Sequence, residues 1–447
     1  MASRLVVSTE CPACGAPLDF TEGSTALRCD HCRSNLLVTG RKQVLSYAVT
    51  PKHAAQRAVA VTLATYRQNG VPCRVVQLQL YFIPYYRLTG HDFCWETVPP
   101  SKEEQEELLG INEGTPVFVR LVERKEETVQ FRDRYVEKNF VACDLVGAGL
   151  YSLGIRPAVL RLGLFRRETL EANGRIVSVT TSPEVALSQG LKVDLQNVLY
   201  RQVLSQVLSV IYFPFWVVEV ECQGEQRLTI VDAVAETVVT ADAPLSLYTV
   251  LNRQPTAEPQ VIGFRPLTCP NCGWDLPVKP DDVIFCCSSC SRAWQIEGQR
   301  LFEVGHQVAE RLDTGKPQPI KHLPFWVLQA EIKNRPWRFF LPAFRYRRLK
   351  FLSDLATNLS RRQPAYTVTN NAPPELSGCY YDQEDALRLA QFTHVGLQAK
   401  SPEEIRAVQA EQLSIASATL TWFPFYDQGY SLVDPFTKTS LPRNLLL

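Results

Sequence analysis

The sequence lacks an excess of charge of either sign. Its 447 residues include 47 Lys and Arg against 46 Asp and Glu, which leaves a formal net charge of +1. A near-neutral chain has no general electrostatic attraction for nucleic acid. The length exceeds that of a usual single domain, so we expect two to four compact units.

Long apolar runs are also missing. The nearest approach to a membrane span, 202–218, contains Ser, Gln and Pro214 and is followed by Glu219, so it is marginal in length and too polar. The chain reaches Cys11 without the apolar core of a secretory signal. We therefore expect a cytoplasmic protein without a transmembrane segment, with peripheral membrane association left open.

Motifs of common enzyme classes are absent from the sequence. There is no G-x-x-x-x-G-K-[ST] phosphate loop and no H-E-x-x-H metal motif, and the six histidines are scattered along the chain. We expect a protein without catalytic activity.

What the sequence does contain is two clusters of paired cysteines. In each cluster two CxxC pairs are separated by fourteen residues, and every later cysteine follows its counterpart by 258 positions. The predicted ligands are Cys11, Cys14, Cys29 and Cys32 in the first cluster, and Cys269, Cys272, Cys287 and Cys290 in the second. This spacing predicts two zinc ribbons with one Zn²⁺ each, iron being the alternative metal.

Four thiolates leave no open position on the metal, so both sites are predicted to be structural. Gly15 and Gly273 follow the first CxxC of each cluster, where they would permit the positive φ of a metal-binding turn. The six remaining cysteines are expected to be reduced, small apolar side chains without a disulfide.

A hydrophobic-Pro-aromatic motif recurs four times. We expect each copy to open a strand or to lie at a bulge, and the flanks of the second and third copies predict β-hairpins. Helices are predicted at 52–69, 185–208 and 382–413. The copies are Ile83-Pro84-Tyr85-Tyr86, Phe213-Pro214-Phe215-Trp216, Leu323-Pro324-Phe325-Trp326 and Phe423-Pro424-Phe425-Tyr426.

These features predict an α+β protein with two four-cysteine zinc ribbons, each followed by an α+β region of repeated helix plus β-hairpin units. The expected boundaries are 1–40 for ribbon one, 41–252 for the first α+β region, 262–304 for ribbon two, and 305–447 for a shorter α+β region.

The two ribbons and the Pro-aromatic motifs resemble a group of bacterial proteins with transcription-factor-IIB-type zinc ribbons followed by recurring Tyr-x-Pro-Phe-Trp segments. Such proteins are sometimes labelled primosomal or helicase-like, but this sequence has no helicase motif. The resemblance also implies association with membrane-stress or scaffold proteins, although the membrane segment of some members has no obvious counterpart here.

Two functions follow as expectations. The first is a non-catalytic, zinc-binding adaptor or scaffold that contacts an unidentified protein, with Trp216, Trp326 and Trp422 as candidate docking residues; the alternative for these rings, which we favour, is a place in the core. The second is single-stranded nucleic-acid binding by a basic-aromatic strand at 337–351. Its candidate contacts are Arg338, Arg345, Arg347, Arg348 and Lys350, and the alternative is a half-buried strand with solvated arginines.

Overall fold

The computed structural model of the chain describes residues 5–98, 102–112, 115–124, 128–145, 148–150, 160–191, 197–253, 259–310, 319–333, 335–369, 376–399, 401–409, 411 and 413–447. The described residues form a mixture of helix and strand in which strand is the larger share. The mixed helix and strand content agrees with the sequence prediction.

The helices and strands have the following bounds. The helices are α1 (Ala55–Gln68), α2 (Arg167–Asn173), α3 (Pro183–Leu191), α4 (Tyr248–Leu251), α5 (Leu349–Arg362), α6 (Gln383–Gln398) and α7 (Pro402–Gln409). The strands are β1 (Val6–Glu10), β2 (Pro17–Thr21), β3 (Ala26–Arg28), β4 (Asn35–Thr39), β5 (Leu45–Ala48), β6 (Cys73–Val98), β7 (Lys102–Asn112), β8 (Thr115–Arg124), β9 (Thr128–Val141), β10 (Arg161–Leu164), β11 (Arg175–Ile176), β12 (Val198–Cys222), β13 (Glu225–Asp232), β14 (Val238–Ala243), β15 (Gly263–Pro266), β16 (Ile284–Cys286), β17 (Ala293–Glu297), β18 (Arg300–Val304), β19 (His306–Ala309), β20 (Ile320–Ile332), β21 (Arg335–Pro342), β22 (Val368–Thr369), β23 (Ser414–Asp427), β24 (Ser431–Val433) and β25 (Ser440–Pro442).

The chain divides into two compact units, each built from separate stretches of sequence. The first unit comprises 1–90, 135–192 and 205–304, and the second comprises 91–134, 193–204 and 305–447. Both cysteine clusters belong to the first unit. The four segments expected from the sequence stay a prediction.

A large mixed sheet forms the body of the first unit. Its strands follow the order β11-β6-β12-β5-β10-β1-β2, with β9 paired to β6, β13 to β12, and β14 to β13. The β12–β13 hairpin closes through Gln223 and Gly224, which both have positive φ and so match the twist of a two-residue hairpin turn. Helix α1 is anchored to this hairpin by the hydroxyl of Tyr66, which lies 3.1 Å from the Thr229 hydroxyl.

The second unit contains a sheet of seven strands in the order β21-β20-β23-β19-β22, with β24 paired to β23 and β25 to β24. Helix α5 buries the stripe Leu352, Leu355 and Leu359, because residues three and four apart share one helix face. Helix α6 begins after Asp382, whose carboxylate accepts the N–H of Asp385 at 3.0 Å. Such a side chain satisfies one of the free donors of the first turn.

The Pro-aromatic motifs lie inside long strands and do not open them, so of the two expected positions only the one at a bulge stays a prediction. Pro84 is well within β6, and Pro214, Pro324 and Pro424 lie within β12, β20 and β23. In the second unit the third and fourth copies face each other, with Leu323 opposite Phe423. Proline lacks an N–H, but its carbonyl remains available as an acceptor.

One arrangement of hydrogen bonds recurs at three of the motifs. The proline carbonyl accepts an alanine N–H, the alanine carbonyl accepts two consecutive N–H groups, and the ring two positions after the proline donates to the second of those residues. The prolines and alanines are Pro84 with Ala142, Pro214 with Ala233, and Pro324 with Ala343. The ring donors and carbonyl acceptors are Tyr86 with Thr181, Trp216 with His53, and Trp326 with Tyr381.

Two sequence predictions about local structure were wrong. The helix predicted at 185–208 ends at Leu191, and β12 begins at Val198, because a run rich in Val and Leu fits a buried strand as well as a helix. Cys73 and Cys222 form a disulfide, where only reduced cysteines were expected. They lie at the start of β6 and the end of β12, which are neighbours in the sheet.

Candidate metal centres

The four cysteines of each cluster converge on one point. In site 1 (Cys11, Cys14, Cys29, Cys32) and in site 2 (Cys269, Cys272, Cys287, Cys290) all four sulfur atoms lie within 4.8 Å of one another. Each group is therefore close enough to bind one metal ion.

The distances between sulfur atoms fit a tetrahedral ion. In site 1, Cys11 Sγ lies 3.8 Å from Cys32 Sγ, and in site 2, Cys272 Sγ lies 3.6 Å from Cys287 Sγ. A Zn–S bond of about 2.3 Å in a regular tetrahedron separates the sulfurs by about 3.8 Å. The donor set fits Zn²⁺, and four protein ligands leave no position for water or substrate.

All four CxxC turns share one backbone geometry. The N–H of the first cysteine donates to the carbonyl five residues later, and its carbonyl accepts the N–H four residues later. The residue after the second cysteine has a positive φ at Gly15, Arg33, Gly273 and Ser291. The prediction for the two glycines is confirmed, but the sequence gave no signal that Arg33 and Ser291 adopt the same conformation.

The two cysteines of a pair differ in exposure. Cys11, Cys29, Cys269 and Cys287 are buried, whereas Cys14, Cys32 and Cys272 are exposed. Hydrogen bonds from Ser34 lower the pKa of Cys32 to about 6, which favours the thiolate that binds metal. Each site therefore has an inner side fixed in the fold and an outer side at the surface.

Ribbon one (1–40) belongs to the core of the first unit. Cys11, Cys29 and Leu36 lie in the same buried apolar cluster as Tyr85 and Phe215 of the large sheet. Ribbon one therefore packs directly against the large sheet of the first unit.

A buried ion pair fastens ribbon one to β6. The guanidinium of Arg87 donates to Glu22 Oε2 at 2.7 Å and also to Glu137, and the hydroxyl of Ser209 donates to Glu22. Burial lowers the pKa of Arg87, but the two carboxylates more than offset this and raise it. Isolated Arg and Glu residues carry no motif, so sequence reasoning missed this contact.

Ribbon two (262–304) is joined to ribbon one through a shared sheet. Strand β15, which leads into Cys269, pairs with β4 and so extends the β3–β4 hairpin of ribbon one. The ring of Phe264 packs edge-on against Phe20 with centroids 5.8 Å apart. The remaining strands of ribbon two form their own sheet in the order β16-β17-β18.

The basic-aromatic run at 337–351 is not one strand. Strand β21 ends at Pro342, and α5 begins at Leu349. The rings of Phe339, Phe340 and Phe344 are buried, because they pack into the core of the second unit. These rings are therefore not available to stack on bases.

The five cations of this run occupy different environments. Arg338 donates to the carbonyl of Pro364 at 3.0 Å, and Arg345 lies over the ring of Tyr380. The remaining three are exposed at the surface, and one of them pairs with an acidic residue on α5. These three are Arg347, Arg348 and Lys350, the last paired with Asp354.

The three candidate docking tryptophans are core or partly buried residues. Trp326 and Trp422 are buried, and their indole N–H groups donate to the carbonyls of Tyr381 and Ser377. Trp216 is partly buried. The rings of Trp326 and Trp422 therefore lie in the core, as the alternative for these residues expected, and their burial weighs against a docking role.

Ribbon two instead exposes a tryptophan that sequence reasoning missed. The Trp274 side chain is 64% exposed, while its carbonyl accepts the N–H of Cys269 at 2.7 Å. The sequence feature that could have identified this residue is the offset of 258, because it places Ala16 of ribbon one at the position equivalent to Trp274. The two ribbons thus differ in the side chain that they present beside the first CxxC turn.

Among the described residues, no helix is both long enough and apolar enough to cross a membrane. No protein-family model, curated protein or solved structure matches this chain.

Proposed function

We propose that this protein is a cytoplasmic, non-catalytic adaptor whose two ribbons hold structural Zn²⁺ and which acts by binding another protein. The observation that carries the metal assignment is the tetrahedral spacing of two closed four-thiol groups. A closed site supplies folding free energy rather than chemistry at the metal.

The support for protein contact is the exposed ring beside site 2. A backbone hydrogen bond between Trp274 and Cys269 holds the turn that presents the indole, so the backbone at this position is already ordered. Tryptophan is enriched among the residues that contribute most to the affinity of protein interfaces. The buried Trp326 and Trp422 have a structural role in this proposal.

Single-stranded nucleic-acid binding is the second candidate, and the exposure of Arg347 and Arg348 favours it. With the neighbouring rings buried, these cations would contact phosphates without base stacking. Peripheral attachment to an anionic membrane would use the same cations.

We further propose that the chain contains repeated helix plus β-hairpin units that arose by duplication with the ribbons. The recurring proline–alanine hydrogen bonds support this, as does a second shared turn. The carboxylates of Asp232 and Asp434 each accept two backbone N–H groups. Four positions after each aspartate, Glu236 and Lys438 have a positive φ, and both segments read Val-Asp-x₄-Thr.

Metal analysis tests the first part of the proposal. The chain purified under reducing conditions should contain two zinc ions, and Cys272→Ser should lower this number. Cys286→Ser is the matched control, because Cys286 is adjacent to Cys287 but belongs to neither site. Iron as the resident metal, or a full zinc content in Cys272→Ser, would contradict the assignment.

Cross-linking in cells tests protein contact. Cross-linked protein identified at ribbon two should disappear in Trp274→Ala and persist in Tyr430→Ala, which removes an even more exposed ring from the second unit. Equal cross-linking in both variants would reject Trp274 as the anchor.

Binding to a labelled single-stranded oligonucleotide tests the second candidate. Anisotropy should report salt-sensitive binding that Arg347→Glu with Arg348→Glu abolishes. Absence of binding at low salt would eliminate this candidate.

A further inference from the structure

We propose that sites 1 and 2 bind their metals cooperatively, as one two-metal module. This inference rests on the proposed metal binding, since it concerns how the occupancy of one site affects the other. The observations that carry it are three connections between the ribbons, and each begins or ends near a cysteine turn.

The first connection is the shared sheet. Gly263, Phe264, Arg265 and Pro266 of β15 lie opposite residues 36–39 of β4. Strand β4 begins three residues after Cys32, and β15 ends three residues before Cys269. Ribbon two thus depends on a strand whose other neighbour, β3, leads directly into site 1.

The second connection passes through Asn35. The N–H of Cys29 donates to the carbonyl of Ser34 at 3.0 Å, and the carbonyl of Asn35 accepts the N–H of Leu267 at 2.9 Å. The amide of Asn35 also donates to the carbonyl of Leu276 at 3.5 Å. Adjacent residues therefore link the second cysteine turn of site 1 to the segment that holds the first turn of site 2.

The third connection is made by Thr25, which is buried. Its N–H donates to the carbonyl of Pro280 at 2.7 Å, and its hydroxyl donates to the carbonyls of Pro280 and Asp282. Thr25 precedes β3 and Cys29, while Asp282 precedes β16 and Cys287. This connection therefore links the segment that leads into the second cysteine turn of site 1 to the segment that leads into the second turn of site 2.

These connections predict coupling in both directions. If site 1 loses its metal, the Cys29–Cys32 turn loses the ion that holds it, and β3 and β4 no longer offer a fixed edge to β15. Ordering ribbon two then costs part of the free energy of metal binding at site 2, so the metal affinity of site 2 falls. Coupling free energies are reciprocal, so emptying site 2 weakens site 1 by the same factor.

Titration with Co²⁺ tests the proposal in the full-length chain, reduced and stripped of metal. Thiolate–Co²⁺ absorbance reports binding at the single site left in Cys11→Ser with Cys14→Ser, and at the single site left in Cys269→Ser with Cys272→Ser. We expect each remaining site to bind about tenfold or more weakly than in the intact chain. Unchanged affinity at both remaining sites would overturn the proposal.

A second pair of variants retains all eight ligands and so avoids loss of a ribbon. Thr25→Val with Asn35→Ala removes only side-chain contacts between the ribbons, and it should reduce the cooperativity of Co²⁺ binding. Thr9→Val is the control, because Thr9 lies on β1, whose described strand partners are β2 and β10 of the large sheet. Undiminished cooperativity in the Thr25 and Asn35 variant would overturn the proposal that these two side chains couple the sites. A failure of the zinc assignment is separate, since it would be seen in the metal content of the purified wild-type chain.

Discussion

Arg87 and Arg74 provide a comparison of two ion pairs on the same strand. Both lie on β6, and each pairs with a glutamate at 2.7 to 2.8 Å. The Arg87 side chain is 1% exposed, whereas that of Arg74 is 76% exposed. Replacing each by Met retains most of the apolar stem and removes the charge, so the two variants differ mainly in the burial of the carboxylates left behind.

The expected costs differ severalfold. Removing one member of a buried pair costs about 3–5 kcal/mol, because an uncompensated charge remains in the interior. Arg87→Met leaves two carboxylates, Glu22 and Glu137, which places it toward the upper end of that range. Removing Arg74 costs less than about 1 kcal/mol, because water solvates its partner.

Urea denaturation of both variants at pH 7 measures this difference. Arg87→Met should also regain stability as the pH falls, because protonation neutralises the stranded carboxylates, and adding Glu22→Gln should recover part of the loss at pH 7. If Arg87→Met unfolds at the same urea concentration as Arg74→Met, the buried pair does not fasten ribbon one as argued.

Three further predictions concern the core, the disulfide and acid stability. Trp326→Phe should lower the free energy of unfolding in urea by about 2–4 kcal/mol, because it opens a cavity and leaves a buried carbonyl unpaired. The exposed Trp274→Phe should change it by less than about 0.5 kcal/mol. Equal effects of the two variants would contradict the burial of Trp326. Cys222→Ser should lose up to about 5 kcal/mol relative to the oxidised wild type, and reductant should remove the difference; a difference that persists in reductant would show that the bond to Cys73 is not its source. Burial lowers the pKa of His394, so its contribution to stability is present above about pH 6.5 and is lost as the pH falls through its pKa in the folded protein. His394→Gln should therefore flatten the loss of thermal stability at acid pH. An unchanged loss of stability in this variant would refute the involvement of His394.

The metal ligands and several elements could be predicted from local sequence. Two CxxC pairs with a fixed separation restrict the cysteines to one arrangement, and the structure brings all eight together as two groups of four. The segments predicted as hairpins are the antiparallel pairs β12–β13 and β20–β21. Helix α1 fills most of the predicted range 52–69. In each case the determining contacts lie within about thirty residues of one another.

The features that were missed depend on contacts between distant residues. The disulfide joins residues 149 positions apart. Strand β15 pairs with β4 although the whole first α+β region lies between them in the sequence. The alternation of rings and arginines at 337–351 predicts a strand, but a helix begins where Leu349 can pack with Leu352 and Leu355. Local sequence patterns do not predict contacts between residues that are far apart in the chain.

The position of ribbon one within the core determines what loss of metal would do to an adaptor. Cys11 and Cys29 are buried beside Leu36 in the cluster that also contains the sheet residues Tyr85 and Phe215. Small ribbons cannot form a sufficient core without their ion, so an empty site 1 would loosen this cluster as well as the turn itself. Because β15 pairs with β4, the same change reaches ribbon two and its exposed Trp274. In the proposed adaptor, zinc therefore acts on the partner-binding surface through the fold, without any contact between the metal and the partner.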